Sequence, residues 1–188
     1  MRIITGKHKS RVLKTLDGNN TRPMMDKMKE SVFNTIGPYF DGGIVLDLFG
    51  GSGALSLESI SRGADYAYIN ELNRDAMQII KYNVNLLKED ENVMLMNSDY
   101  KIALKRLNDV KFDYVFLDPP YRMHVVNEVC EYLVNNNMLE DKCFIICHYV
   151  KGETELITNI DELRLIKNYC YGKSEVSIYE YEEKKNEN

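Results

Sequence analysis

The sequence predicts an α/β fold, a mostly parallel sheet with helices on both faces. Three observations carry this. Short apolar runs alternate along the chain with segments whose apolar residues recur at helical spacing. Turn residues, above all glycine and proline, separate the two kinds of segment. Near the end the alternation stops, and "ELRLIKNYCYGKSEVSIYEYEE" reads as two strands around "YGKS", an antiparallel hairpin.

The elements follow in order. "RIITGKHKSRVLKTL" has strand-like patches with Gly6 between them, and "DGNNTRP" is a turn cluster. "MMDKMKESVFNTIG" places Met25, Met28, Val32, Phe33 and Ile36 at helical spacing, closed by Gly37 and Pro38. "GIVLDLFG" is a short buried strand, and "ALSLESISRGA" is a helix ending near Gly63. "YAYINE" is a strand. "RDAMQIIKYNVNLLKE" is a longer helix with Ala76, Ile79, Ile80, Val84 and Leu87 on one stripe. "NVMLMN", "FDYVFLD" and "CFIICHY" read as strands; "YKIALKRLN" and "VVNEVCEYLVNNN" read as helices.

The expected organisation is a basic hairpin arm over residues 1–22, one main domain over 23–182, and a disordered tail over 183–188. A length of 188 residues, 44% hydrophobic and 28% charged, suits one globular domain with a full core. No apolar run approaches the roughly 18 residues of a membrane span. "MRIITGKHKS" has no signal-peptide core, so a cytoplasmic setting is expected. Cys130, Cys143, Cys147 and Cys170 show no CxxC spacing and are read as free thiols of a reducing compartment. The net charge of −5 argues against a protein coated in nucleic acid, yet the first 30 residues carry +5 and the remainder −10. A basic arm on an acidic body suits phosphate contacts, and equally a solvated hairpin whose lysines protect its edges.

In such a sheet, ligands sit beyond the carboxyl ends of the strands, where the strand order reverses. Three polar features fall there. In "VLDLFGGSGALSLE", Asp47 ends the strand, and Gly50, Gly51 and Gly53 let the backbone turn tightly and approach a ligand. The next helix then offers its free N–H groups. Glu71 follows 18 positions after Gly53, where an acid accepts hydrogen bonds from ribose hydroxyls. Asp99, after the third strand, is placed either to accept an adenine amine or to cap the following helix.

The most specific signal is "DPPY", residues Asp118, Pro119, Pro120 and Tyr121, which ends the fourth strand. The exocyclic amine of a nucleobase is a poor nucleophile, because its lone pair is delocalised into the ring. A carboxylate and a fixed carbonyl can hold its two N–H bonds, direct the lone pair at an electrophile and stabilise the charge that develops on nitrogen. Prolines fix the turn and leave its carbonyls as pure acceptors. Tyr121 supplies a face on which a base can stack.

The glycine turn followed by Asp-Pro-Pro-Tyr resembles the class I S-adenosylmethionine-dependent amino-group methyltransferases, with their Rossmann-like sheet. The whole chain resembles the RsmD family, which methylates guanine N2 in 16S ribosomal RNA. The resemblance runs through "MRIITGKHKSR", "TRPMMDKMKESVFN", "LDLFGGSGALSLESISRGA", "FDYVFLDPPY" and "YGKSEVSIY", in order and nearly full length. It implies that Asp47, Gly50, Gly51 and Gly53 form the S-adenosylmethionine loop, that Glu71 holds the ribose, and that Asp99 faces the adenine. It implies that Asp118, Pro119 and Tyr121 hold the guanine. Lys7, Lys9, Arg11 and Arg22 are the candidates for RNA phosphate contacts, the RNA being expected within a small-subunit assembly intermediate. The family usually has glycine where this chain has Ser56 and Thr5, and often an aromatic near His8.

No metal is expected, since His8, His124 and His148 are far apart in sequence and form no ligand spacing. Three other activities share parts of the pattern. An adenine-N6 methyltransferase would use the same "DPPY" but would need its own recognition segment. A nicotinamide oxidoreductase would use the glycine turn without "DPPY", and Ser56 breaks its fingerprint. A non-catalytic RNA-binding module would have no use for Asp118 and Tyr121.

Overall fold

A computed structural model describes residues 1–16, 26–120, 122–152, 157 and 159–184. Arg22, Met25 and Tyr121 lie outside the described residues. Helix α1 (Asp26–Ile36) precedes β1 (Ile44–Asp47) and α2 (Ala54–Arg62). Next come β2 (Tyr66–Asn70), α3 (Arg74–Leu87), β3 (Val93–Met96), α4 (Tyr100–Arg106) and β4 (Phe112–Leu117). The chain continues with α5 (Val126–Asn135), β5 (Leu139–Val150), β6 (Leu163–Tyr171) and β7 (Ser174–Tyr181).

Local chemistry sets the boundaries. Asn73 caps α3, its Oδ1 accepting from Asp75 N and Ala76 N, and Lys88 ends that helix in the left-handed region. Helix α2 begins after Gly53 and stops at Gly63, whose N–H returns to Ile60 O. The apolar stripes then fix which face each helix buries. Helices α1, α2 and α3 cover one face of the sheet, over Val45, Ala67, Ile69 and Phe116. Helices α4 and α5 cover the other, over Leu46, Val115, Leu117 and Ile145.

The seven strands are ordered β3-β2-β1-β4-β5-β7-β6, parallel from β3 to β5 and antiparallel from β5 to β6. The order reverses between β1 and β4, so the turns that follow these two strands flank one crevice. Two features depart from expectation. β5 begins at Leu139 rather than near Cys143, because Leu139 pairs with Phe112 ahead of an irregularity in the β4–β5 ladder. The segment from Arg2 to Val12 makes a single antiparallel bridge rather than two strands. Ile3 N, Ser10 N and Leu13 N bond across the arm, but Ile4 N and Thr5 N turn away and donate to the Glu58 carboxylate of α2. A Cβ at Gly6 would lie 1.7 Å from Ser61 O, so only glycine allows this approach to the helix.

Candidate active site

Asp47, at the end of β1, is 2% exposed, and Ser56 Oγ on α2 donates to its Oδ2 at 3.0 Å. Ser56 is itself fully buried and satisfies the acid beneath the loop. Burial pushes the Asp47 carboxyl up to about 7; the Ser56 hydrogen bond opposes this, while the charges of Asp118 and Glu71 add to it.

The loop above Asp47 is closed by its own backbone. Gly50 N donates to Asn70 O at 2.8 Å, and Gly53 N to Gly50 O at 2.7 Å. Gly51 has φ +57, and a Cβ there would meet no atom within 4 Å. The space over the loop on that side is therefore open, and a glycine keeps it so. Glu71, one residue beyond β2, accepts from Gly51 N at 2.9 Å and from Asn73 N at 2.7 Å. The carboxylate so lies against the glycine turn, and its remaining lone pairs suit hydroxyl donors. Asp99 caps α4, its Oδ1 accepting from Lys101 N at 2.9 Å. This is the capping role that the sequence left open beside the adenine contact.

Asn70 is a further determinant that sequence reasoning missed. It is buried at the end of β2, and its Nδ2 donates to Leu48 O and Ser98 O. Its Oδ1 accepts from Ser98 Oγ at 3.0 Å. One side chain thus ties together the turns after β1, β2 and β3.

On the other side of the crevice, Asp118 follows β4. Leu48 N donates to Phe116 O, so the turns after β1 and β4 leave the sheet side by side. Asp118 Oδ1 lies 2.8 Å from Nδ1 of His148, on β5. This contact was also missed; the sequence treated His148 only as too distant from the other histidines. Pro119 is buried and Pro120 exposed, and Met123 N donates to Pro120 O at 2.9 Å. His124, by contrast, is exposed.

The arm lies against α2 and α3. Ile3 and Leu13 are buried in the same core as these helices. Lys9 and Arg11 are exposed. Lys7 is also exposed, but its Nζ lies 2.8 Å from the buried Glu89, which also holds the His8 ring. Asn83 of α3 joins arm and loop: it accepts from Lys14 N and donates to Lys14 O and Ser52 O. Three cysteines are core residues. The Cys130 thiol, hydrogen-bonded to Cys147 and buried, is held well above the usual range, and burial, with the charges of Asp113 and Glu140, holds Cys143 there too. They are inert as nucleophiles. Among the described residues no His, Cys, Asp and Glu cluster could hold a metal ion, and no helix is long and apolar enough to cross a membrane.

A sheet of this order, with a glycine turn after β1, an acid after β2 and Asp-Pro-Pro after β4, is that of a class I methyltransferase. The comparisons with known proteins narrow this. The family described as conserved hypothetical protein 95 matches residues 1–180. YlbH of Bacillus subtilis, described as a candidate rRNA methyltransferase, is 38% identical over 181 residues, covering 95% of this chain and 98% of its own. Ribosomal RNA small subunit methyltransferase D of Haemophilus influenzae is 33% identical over 184 residues, covering 96% and 93%. A solved Escherichia coli structure, described as a candidate methyltransferase yhhF, superposes with a TM-score of 0.84 at 32% identity, over 97% of this chain and 98% of that one. The chain belongs to this family, that of ribosomal RNA small subunit methyltransferase D, and is an S-adenosylmethionine-dependent methyltransferase.

Proposed function

We propose that this enzyme methylates the exocyclic N2 amine of a guanine in small-subunit (16S) ribosomal RNA. The single observation that carries this reading is the placement of Asp118 across the crevice from the glycine turn, at the end of the neighbouring strand. S-adenosylmethionine, when bound, supplies a methyl carbon made electron-poor by a positive sulfur. Gly50, Gly51 and Gly53 would hold it through backbone contacts, with Glu71 at its ribose and Asp99 toward its adenine. The open side of Gly51 and the acceptor at Glu71 fit such a group.

Asp118 accepts one N–H of the guanine amine, and the carbonyl of Pro119 accepts the other. The lone pair is then aimed out of the purine plane. The bound group would supply its methyl carbon to N2, and the electrons of the carbon–sulfur bond would remain on sulfur. N2 then sheds one proton, for which Asp118 is the adjacent acceptor. Tyr121 would stack on the base, which must first leave its RNA stack at a cost of a few kcal/mol. Lys7, Lys9, Arg11 and Arg22 would contact phosphates that help offset this cost, on RNA within a small-subunit assembly intermediate. A cytoplasmic setting agrees with the free thiols.

The test has two parts. Undermethylated small subunits are treated with enzyme and labelled cofactor, and the modified nucleotide is mapped; a label on adenine N6 would support the other amine chemistry. Asp118→Ala should keep cofactor affinity but lose on the order of 10²–10³ in transfer rate, as one well-placed electrostatic group does. Asp118→Asn should retain more activity than the alanine variant. Full single-turnover activity in Asp118→Ala would reduce the carboxylate to the end of a strand.

A further inference from the structure

The mechanism so far gives no task to His148. Cys147 pairs with Leu117 across the parallel β4–β5 ladder, so His148, two residues short of the end of β5, stands level with Asp118 just past the end of β4. Its side chain is 2% exposed, with Nδ1 2.8 Å from Asp118 Oδ1. On its other side it pairs with Val176 of β7. A polar ring in such a position is costly to bury without a hydrogen-bonding partner, and its neighbours Ile146, Val176 and Ile178 show what the strand would otherwise hold. Asp118 keeps 23% of its side-chain exposure, so the contact anchors the carboxylate without sealing it.

We propose that His148 is a positioning residue for methyl transfer: its Nδ1–H donates to Oδ1 of Asp118 and turns Oδ2 toward the amine of the target base. This rests on Asp118 being the acceptor for that amine. A carboxylate at the head of a turn has two soft torsions and samples many orientations. Only those that meet an N–H of the base in its plane help to aim the lone pair, and a reacting group misplaced by about 1 Å loses much of its effect. Anchoring one oxygen fixes the other. The direction of the bond follows from chemistry, because an ionised carboxylate can only accept, so the proton sits on Nδ1. Burial opposes a charge on this ring, but the charge of Asp118 and the hydrogen bond to it outweigh burial and hold the imidazole pKa above its usual value.

Three variants and one spectrum test this. His148→Phe keeps the ring volume and removes the donor; His148→Asn places an amide N–H near the position of Nδ1; His148→Ala removes both. Single-turnover transfer is measured at saturating RNA and cofactor, together with cofactor affinity and thermal midpoint. The phenylalanine and alanine variants should lose roughly 10- to 100-fold in rate, as expected for a hydrogen bond to a charged group. Asparagine should recover most of it, and cofactor affinity should not change. Equal losses in all three variants, no loss, or a change confined to RNA affinity would overturn the proposal. The ring nitrogen spectrum of wild-type protein decides the matter even if a variant fails to fold. Nδ1 should carry a proton at the assay pH and shift on Asp118→Ala, whereas an unprotonated Nδ1 would refute the donor role. Failure of the wild type to methylate ribosomal RNA would instead overturn the proposed substrate, and the nitrogen spectrum would still report on the His148–Asp118 bond.

Discussion

A single hydroxyl changes the floor of the glycine loop. With glycine at position 56, Asp47 would lack the donor that Ser56 provides, and burial would weigh on the carboxylate unopposed by it. Even with that donor, the folded pKa of about 7 stands above the ordinary 3.8. The folded state therefore binds this proton more tightly than the unfolded chain does. The resulting stability is fully present below about pH 4 and is lost as pH rises through about 7. Each pKa unit corresponds to about 1.4 kcal/mol, so the window spans roughly 4 kcal/mol. Asp47→Asn keeps an acceptor for Ser56 and removes the ionisation. The variant should be more stable than wild type at pH 8, with the difference shrinking or reversing at pH 5. Urea midpoints at the two pH values measure this, and an equal offset at both would show that Asp47 stays ionised throughout. The serine itself was visible in the sequence, but its partner was not. Nothing in a spacing of nine positions says that a helix will lay one residue's hydroxyl on the acid of the preceding strand.

At the scale of elements, the arm is held by its backbone, and its basic side chains are left to the surface. Glu58 gathers Ile4 N, Thr5 N, Arg62 Nε and Lys29 Nζ, four donors on one buried carboxylate. Such a centre leaves Lys9 and Arg11 exposed on a fixed support. Neutralising Lys9 and Arg11 together should weaken RNA binding and flatten its log–log salt dependence, by up to about 0.9 per lost contact with duplex phosphates. Lys7→Ala should matter less for RNA and more for stability, because this lysine is engaged with Glu89. An unchanged salt slope in the Lys9 and Arg11 variant would leave the arm a solvated hairpin. The alternation of strands and helices was legible because each element writes its own period, and Ala76, Ile79, Ile80, Val84 and Leu87 are all buried as their spacing implies. The docking of the arm was not, since it depends on Thr5 meeting Glu58 and Gly6 meeting Ser61 across more than 50 positions. His148 was hidden for a similar reason. Its place beside Asp118 exists only once β4 and β5 take their register, and the irregularity between Phe112 and Tyr114 keeps that register from being counted off the sequence.

Across the whole molecule, the sheet brings two turns to one crevice by reversing its order between β1 and β4. The same sheet ends with β7 between β5 and β6, antiparallel to both. β7 pairs with β5 from Phe144 to Val150, the stretch that contains His148. A chain ending before Ser174 should therefore lose the cooperative unfolding transition, because β6 is left without a partner and β5 with one open edge; circular dichroism during thermal melting tests this, and a native-like transition would refute it. The position of β7 also sets a sequence of events in time. Translation delivers β1 to β6 first, and β5 then waits with one edge open, its histidine lacking the strand that will cover it. The strand that closes the gap is the last of the seven to be made. For an enzyme whose proposed substrate is part of the ribosome, a nascent chain that stops short of Ser174 thus has His148 uncovered, and it lacks the finished site with which to act on the RNA around it.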